Sequence, residues 1–186
     1  MTSSGRQVPG WLQSARDQWT NRGTTRPPFA HEPADGQESV WDYPRPPALV
    51  ADQRLVEVHD GERLVARSSS TLRLCETSHP PTFYVPLDDC DLDVLTVVDG
   101  PTSFCEWKGP ARYWSVPGVD RPVAWDYPSP YEEYADIAGH VAFYPALVRC
   151  TVAGEVVRPQ AGGFYGGWIT DDVVGPFKGE PGTNGW

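Results

Sequence analysis

Residues 54–69, RLVEVHDGERLVARSS, contain two segments of alternating apolar and polar residues on either side of Asp60-Gly61. Alternation with a period of two is typical of half-buried β-strands, and Asp-Gly between two such segments favours a type I′ hairpin. The segments that follow, TLRLCETS, TFYVP, LDVLTVVDG and ARYWSV, continue this pattern of short strands between turn residues. The sequence therefore predicts a mainly β protein, built as a small antiparallel twisted sheet or an open barrel.

Two segments have the signature of a short helix. In GWLQSARDQW, the spacing of Trp11, Ala15 and Trp19 places these side chains on one helical face. We expect the two tryptophans to anchor the arm to the body of the protein, and a mobile arm is the alternative. In SPYEEYADIAGH, residues 129–140, a serine and a proline precede two acidic residues, and a glycine follows. Elsewhere, 20 prolines and 18 glycines argue against long helices.

The composition changes near residue 37. Residues 1–37 are polar and poor in β-branched side chains, which predicts an N-terminal arm that carries the first short helix. Residues 38–186 carry the strand pattern and predict a single β-rich domain, which includes a C-terminal tail rich in glycine and aromatic residues.

The chain is acidic, with a formal net charge of −10 and a pI of about 4.7. Such a charge repels a phosphate backbone, so we expect no nucleic-acid partner. The sequence has no apolar run long enough to cross a membrane and no signal-peptide pattern at its start, so we expect no membrane association and a cytoplasmic location. The expected partner is a small-molecule substrate, and formation of a homodimer stays open.

The four cysteines form no C-x-x-C pair, so the sequence predicts free thiols and no metal site. Cys105 differs from the other three cysteines because Lys108 follows it closely and could lower the pKa of its thiol. The acidic segment DDCDLD, residues 88–93, could hold magnesium, but it is more typical of a solvated loop. The sequence also lacks the motifs of nucleotide cofactor sites, so we expect no cofactor.

Two segments carry residues suited to acid–base chemistry. In CETSHPPTFY, a carboxylate (Glu76), an imidazole (His79) and a phenol (Tyr84) follow one another within nine residues, although the first two could equally cap loop backbone. In CEWKGPARYW, Lys108 is flanked by aromatic residues. Desolvation there could lower the pKa of the lysine, or the lysine could bind an anion or a carbonyl, or simply extend over apolar rings.

The tetrapeptide Trp-Asp-Tyr-Pro occurs twice, at 41–44 and at 125–128. The similarity ends at the proline, so the two copies do not mark a duplicated domain. We expect a repeated packing device, with a buried Trp and an Asp that accepts backbone N–H groups in an Asx-type turn. The second copy is the better candidate for a pocket, because it lies between the lysine segment and the second helix.

Five segments in order, ESVWDYPRPP, ETSHPPTFYVP, CEWKGPARYWSV, AWDYPSPYEEYADIAGHVAFYP and FYGGWITDDVVGPFKGEPGTNGW, resemble the domain of unknown function 427 family, which is common in actinobacteria. The resemblance covers about residues 38–186 and implies a small β-rich fold of the tent-like, Mss4-like kind. It also implies that the ETSHPP and WKG segments face one pocket. The residues expected to bind the substrate there are Ser78, Trp107, Tyr113, Trp114, Trp125, Tyr127 and Tyr144.

The favoured hypothesis is an enzyme that needs no metal and catalyses the dehydration, cyclisation or isomerisation of a carbonyl-containing substrate in specialised metabolism. Glu76 or His79 would move the proton, and Lys108 and Tyr84 would stabilise negative charge on the carbonyl oxygen. One alternative is a non-catalytic module that holds a small ligand among aromatic rings. A second alternative, a nucleotide-handling enzyme, rests only on the nucleotidyltransferase-like label of the family.

Overall fold

A computed structural model describes residues 6–186, apart from the side chain of Pro101. The strands are short, as the many turn residues require. The α-helix and the strands are α1 (Gly10–Asp17), β1 (Glu38–Ser39), β2 (Ala48–Asp52), β3 (Val56–Asp60), β4 (Arg63–Ser68), β5 (Thr71–Cys75), β6 (Thr82–Pro86), β7 (Thr96–Cys105), β8 (Gly109–Ser115), β9 (Ala124–Asp126), β10 (His140–Phe143), β11 (Arg149–Val152), β12 (Glu155–Val156), β13 (Arg158–Pro159), β14 (Trp168–Ile169) and β15 (Val173–Val174). Three 3₁₀ segments accompany them, Val40–Asp42, Leu87–Asp89 and Glu132–Ile137.

Two antiparallel sheets contain eleven of the fifteen strands in the described part of the chain. The larger sheet has seven strands in the order β2-β5-β6-β10-β9-β8-β7, and the smaller has four in the order β12-β11-β3-β4. Strands β1 and β15 form a parallel pair, and β13 and β14 form an antiparallel pair. The prediction of a mainly β protein with antiparallel sheets and short helices is confirmed, and within residues 6–186 the sheets do not close into a barrel.

The hairpin predicted from residues 54–69 forms between β3 and β4, but its turn differs from the prediction. Asp60 pairs with Arg63, so the loop is Gly61-Glu62. Gly61 has a φ of 57°, whereas Glu62 does not have a positive φ. A type I′ turn requires positive φ at both loop residues, so the type I′ prediction is wrong.

Alternation along the strands of the seven-stranded sheet gives the sheet two different faces. Along β6, Phe83 and Val85 point to the core between the two large sheets, and Tyr84 points to the opposite face. The same alternation on β10 places Val141 and Phe143 in the core. The outer face carries a second cluster rich in aromatic side chains, so both faces of this sheet are covered.

The helical segments differ in detail from the predictions. The helix predicted at 129–140 is a kinked 3₁₀ segment, because Tyr134 has a non-helical backbone conformation. Helix α1 buries Leu12 and Arg16, whereas Trp11 is 68% exposed. The predicted packing is therefore confirmed in part: Trp11 stacks on Phe104 with ring centres 6.2 Å apart, and Trp19 packs against the aromatic cluster on the outer face of the large sheet. The side chains that α1 buries are nevertheless Leu12 and Arg16, which the spacing did not predict. No helix in the described part of the chain is long and apolar enough to cross a membrane.

Candidate functional site

A cavity of about 260 Å³ opens on the outer face of the seven-stranded sheet. Aromatic side chains and a small number of charged groups surround it, which is the usual composition of a small-molecule site. The lining residues are Trp19, Leu74, Glu76, His79, Pro80, Thr82, Tyr84, Ser103, Phe104, Cys105, Glu106, Trp107, Lys108, Tyr113, Trp125, Tyr127, Tyr144, Gln160, Phe164, Tyr165, Gly166 and Lys178.

A tight hairpin between β7 and β8 carries Lys108 into this cavity. Cys105 pairs with Gly109, so the loop consists of Glu106, Trp107 and Lys108. Gly109 has a φ of 97°, a conformation that favours glycine and lets the chain turn immediately after Lys108. The loop thereby places a lysine and a tryptophan side by side at the cavity.

Lys108 is a buried cation without an anionic partner in contact. Its residue is only 6% exposed, and no carboxylate of the described residues lies within 4.0 Å of Nζ. Nζ lies 5.5 Å from the centre of the Tyr127 ring, which offers a cation–π contact. A buried charge that lacks a full partner costs stability, so this cation is a strong candidate for binding a negatively charged atom of a ligand.

The pKa of Lys108 does not move in the direction that the sequence suggested. Burial lowers the pKa, but Cys105, Tyr84 and Glu76 raise it, and the net pKa lies above the ordinary value for lysine. Lys108 is therefore an ammonium at neutral pH. It can stabilise negative charge, but it cannot act as a neutral nucleophile or as a base.

Glu76 is held by a buried arginine. Its Oε1 accepts a hydrogen bond from Nε of Arg45 at 3.1 Å, and the Glu76 side chain keeps 16% exposure whereas the Arg45 side chain has none. Arg45 also donates to the carbonyls of Asn21 and Thr77, at 3.2 and 2.9 Å. Burial raises the pKa of Glu76, but a protonated His79 and the neighbouring lysine and arginine cations outweigh burial and lower it. Glu76 is thus an oriented carboxylate at the edge of the cavity.

His79 lies on the same side of the cavity as Glu76. Its ring contacts Tyr165 edge-on, with ring centres 4.9 Å apart, and its Nδ1 lies 3.0 Å from Nε2 of Gln160. Burial lowers the pKa of His79 to about 4, although Glu76 opposes this shift. His79 is therefore neutral at physiological pH and, with its pKa so low, is a weaker base than a free imidazole.

Tyr84 and Tyr127 supply hydroxyl groups to the cavity. Burial raises the pKa of Tyr84 to about 12, even though Lys108 pulls it down. Burial also raises the pKa of Tyr127 well above its usual value. Both phenols therefore keep their protons at neutral pH and can donate hydrogen bonds to a ligand.

Trp19 and Lys178, which the sequence did not single out as site residues, form another side of the cavity. The Trp19 ring lies between two cations, with Lys178 Nζ at 4.3 Å and Arg45 Cζ at 4.5 Å from the ring centre. Lys178 Nζ also donates to the carbonyl of Trp186 at 2.8 Å, and burial lowers the pKa of Lys178. An isolated Trp or Lys in an arm or a tail has no local pattern that would identify it as part of a site.

Of the eleven site residues predicted from the sequence, nine line the cavity. The other two are Ser78 and Trp114. Trp114 packs in the core between the large sheets, because it follows Tyr113 on β8 and adjacent strand residues point to opposite faces. Ser78 lies in a turn, has a φ of 71° and is fully buried. Its backbone forms hydrogen bonds with the backbones of Val40 and Lys178, and the residue is not part of the cavity lining.

The two Trp-Asp-Tyr-Pro copies have different surroundings. Trp41 is buried beside Phe29 and Trp186, and Trp125 lines the cavity. In both copies the aspartate binds an arginine side chain: Asp42 accepts hydrogen bonds from Arg26, and Asp126 accepts them from Arg112. The Asx-turn prediction is therefore wrong, because long arginine side chains reach these carboxylates.

Among the described residues, no group of three or more His, Cys, Asp or Glu side chains is placed to hold a metal ion. In the acidic segment 88–93, Asp91 accepts a hydrogen bond from the backbone N–H of Asp93 and contacts Arg63. This segment is organised by local turn contacts and one surface ion pair.

Cys105 is expected to react first when the folded protein is treated with iodoacetamide. Cys105 lines the cavity and is partly exposed. Cys90 is a matched control, since it is also partly exposed, but burial and Asp89 raise its pKa to about 12. Burial likewise raises the pKa of the buried Cys75 to about 11. Peptide mass spectrometry would follow the order of labelling, and faster labelling of Cys90 would contradict this prediction.

No curated protein matches the chain. The family model described as "Domain of unknown function (DUF427)" matches residues 48–154. Six of the cavity-lining residues fall outside that range, namely Trp19, Gln160, Phe164, Tyr165, Gly166 and Lys178. Because the match covers more than half of the chain, the protein belongs to the domain of unknown function 427 family.

Proposed function

We propose that the protein is an enzyme that removes a proton from the carbon next to the carbonyl group of a small substrate, using its own side chains. The observation that carries this proposal is the buried Lys108 ammonium, which lines an aromatic cavity and whose Nζ has no carboxylate of residues 6–186 within 4.0 Å. A preorganised cation in a site of low polarity stabilises an oxyanion far more strongly than water does.

The roles follow from the charge states of the groups around the cavity. Glu76 is the base, because it is ionised and oriented by Arg45. As the C–H bond breaks, its electron pair moves into the new C=C bond, and the carbonyl oxygen gains the negative charge. Lys108 and the Tyr84 hydroxyl stabilise that charge, and Glu76 then holds the proton as a neutral acid.

Both Glu76 and His79 have lowered pKa values, so neither is a strong base. We assign the proton transfer to Glu76 because it is a charged carboxylate whose position is fixed by Arg45, whereas the neutral imidazole of His79 is suited to donate a hydrogen bond. An enolate formed in this way can lose a leaving group, attack a second carbonyl or take a proton at another carbon. Dehydration, cyclisation and isomerisation would therefore all share this first step.

Proton removal can be tested before the natural substrate is identified. 2-Indanone is a suitable probe, because its acidic C–H groups lie between a carbonyl and an aromatic ring, and the cavity of about 260 Å³ has room for a bicyclic ketone. We expect the protein to accelerate exchange of these hydrogens for deuterium in D₂O, followed by ¹H NMR. Glu76→Gln should lower the accelerated rate by about 100-fold, the low end for a general base, because the lowered pKa makes Glu76 a weak one.

Glu106→Gln is the matched control, since Glu106 also lines the cavity but accepts a hydrogen bond from Nε1 of Trp19. We expect a much smaller effect in this variant. Equal effects of the two substitutions would show that cavity charge, and not proton transfer, determines the rate. Tight binding of 2-indanone without any exchange would instead favour a non-catalytic module that holds ligands among its aromatic rings.

A further inference from the structure

Gln160 is a buried amide that connects the C-terminal tail to the cavity. It is 5% exposed, and its side chain makes three hydrogen bonds. Oε1 lies 3.1 Å from the backbone nitrogen of Gly167, and Nε2 lies 2.7 Å from the carbonyl oxygen of Lys178. The third contact joins Nε2 to Nδ1 of His79, at 3.0 Å.

The two backbone contacts fix the orientation of this amide. A backbone N–H can only donate, so the atom facing Gly167 must be the amide oxygen. A backbone carbonyl can only accept, so the atom facing Lys178 must be the amide nitrogen. Rotating the amide by 180° would break both bonds. The second hydrogen of Nε2 therefore points to Nδ1 of His79.

We propose that Gln160 is a positioning residue, which holds His79 as the neutral tautomer with its proton on Nε2 and so makes the imidazole a hydrogen-bond donor to an acceptor oxygen of a ligand. Nδ1 must be unprotonated to accept from Gln160, so the ring proton resides on the other nitrogen. Among the described residues Nε2 has no hydrogen-bond partner, and His79 lines the cavity. The ligand part of this inference rests on the proposed function, whereas the tautomer does not.

The surroundings of His79 oppose a second proton on the ring. Burial is the largest cause of a pKa of about 4; Lys178, Arg45 and Lys108 contribute to the lowering, and Glu76 opposes it. The Tyr165 ring packs against the imidazole. Protonation of Nδ1 would also turn its hydrogen bond with Gln160 into a contact between two donors.

Nitrogen-15 NMR of protein labelled at histidine tests the tautomer directly. For His79 we expect an Nδ1 resonance of the unprotonated type and an Nε2 resonance of the protonated type, both unchanged from pH 8 to pH 5.5. His31, His59 and His140 serve as internal references. A proton on Nδ1 of His79, or titration of His79 near pH 6.5, would overturn the proposal.

Two variants separate the positioning role from mere folding. Gln160→Glu replaces the donor with a carboxylate, which should protonate Nδ1 and move the titration of His79 to a higher pH. Gln160→Met removes the donor without adding charge, and should allow both neutral tautomers to be populated. If His79 keeps its wild-type spectrum in both variants, Gln160 does not set the tautomer.

The ligand part has its own readout. 4-Nitrophenol is the probe, because its phenolate offers one charged acceptor oxygen and its visible absorbance reports binding. We expect His79→Phe to weaken phenolate binding by about tenfold, in line with one charge-assisted hydrogen bond. Gln160→Met should weaken it by only about twofold, because the donor tautomer is then one of two populated forms and the phenolate can select it. Unchanged binding in His79→Phe would refute the donor role while leaving the tautomer assignment intact. Absence of ketone exchange in wild-type protein would bear on the proposed function alone.

Discussion

Lys108→Met is expected to lower the rate of deuterium exchange into 2-indanone by about 10²–10³, the loss typical of removing one oxyanion-stabilising group. Methionine has a similar length and stays apolar, so the cavity keeps its shape while losing its positive charge. The same variant should be at least as stable as the wild type in thermal unfolding, because a buried and incompletely paired ammonium is removed. A loss of activity without a loss of stability would show that Lys108 serves the activity of the protein even though its burial lowers the stability.

Lys108→Arg and Arg121→Met are useful controls for this prediction. The first keeps a positive charge in the cavity and should retain part of the rate, although the larger guanidinium fits less well. The second removes an exposed cation that is not part of the cavity lining and should leave the rate unchanged. An unaltered exchange rate in Lys108→Met would remove the central support for the proposed chemistry.

Arg45→Met is expected to lower the free energy of unfolding by about 3–5 kcal/mol, because it leaves the carboxylate of Glu76 without its buried partner. The substitution also removes donors from two backbone carbonyls. Equilibrium unfolding in urea measures the loss. Arg26→Met is the matched control, since Arg26 pairs with Asp42 at the surface, where solvent screens the interaction.

A double-mutant cycle isolates the ion pair from these other contacts. In Arg45→Met combined with Glu76→Gln, no charge is left unpaired, so part of the lost stability should return. Strictly additive effects would mean that Arg45 acts through its other contacts, the carbonyls of Asn21 and Thr77 and the ring of Trp19.

Local sequence patterns predicted the strands well, because alternation and turn residues are properties of neighbouring positions. The segments read as strands around Asp60-Gly61 and at TFYVP correspond to β3, β4 and β6. The length and regularity of the second helix were overestimated. Its prediction depended on residues that favour the start and end of a helix, and such residues do not reveal that Tyr134, in the interior, has a non-helical backbone conformation.

The candidate site was predictable only in part. Glu76, His79 and Tyr84 lie close together in sequence, and Lys108 lies in a distinctive aromatic segment, so local patterns drew attention to them. Trp114 was misplaced because a motif identifies neighbours, whereas the sheet sends neighbours to opposite faces.

Long-range contacts account for the residues that were missed. Gln160 lies 81 positions from His79, and the Arg45 side chain reaches Glu76 across 31 positions. Nothing in the sequence around Gln160 distinguishes it from an ordinary polar residue of a tail. The charge state of Lys108 was equally inaccessible, since it depends on groups that only folding brings together.

The division of the cavity between the matched segment 48–154 and the two ends of the chain bears on how this family could diversify. The matched segment supplies Glu76, His79, Tyr84 and Lys108, the groups assigned to the chemistry. The arm and the tail supply Trp19, Gln160, Tyr165 and Lys178, which lie outside it. Two relatives could therefore inherit the same reactive groups and yet select different substrates by changing only their terminal segments. Shared ancestry over residues 48–154 would then predict a common reaction step. The identity of the substrate would have to be inferred from the residues on either side of that segment.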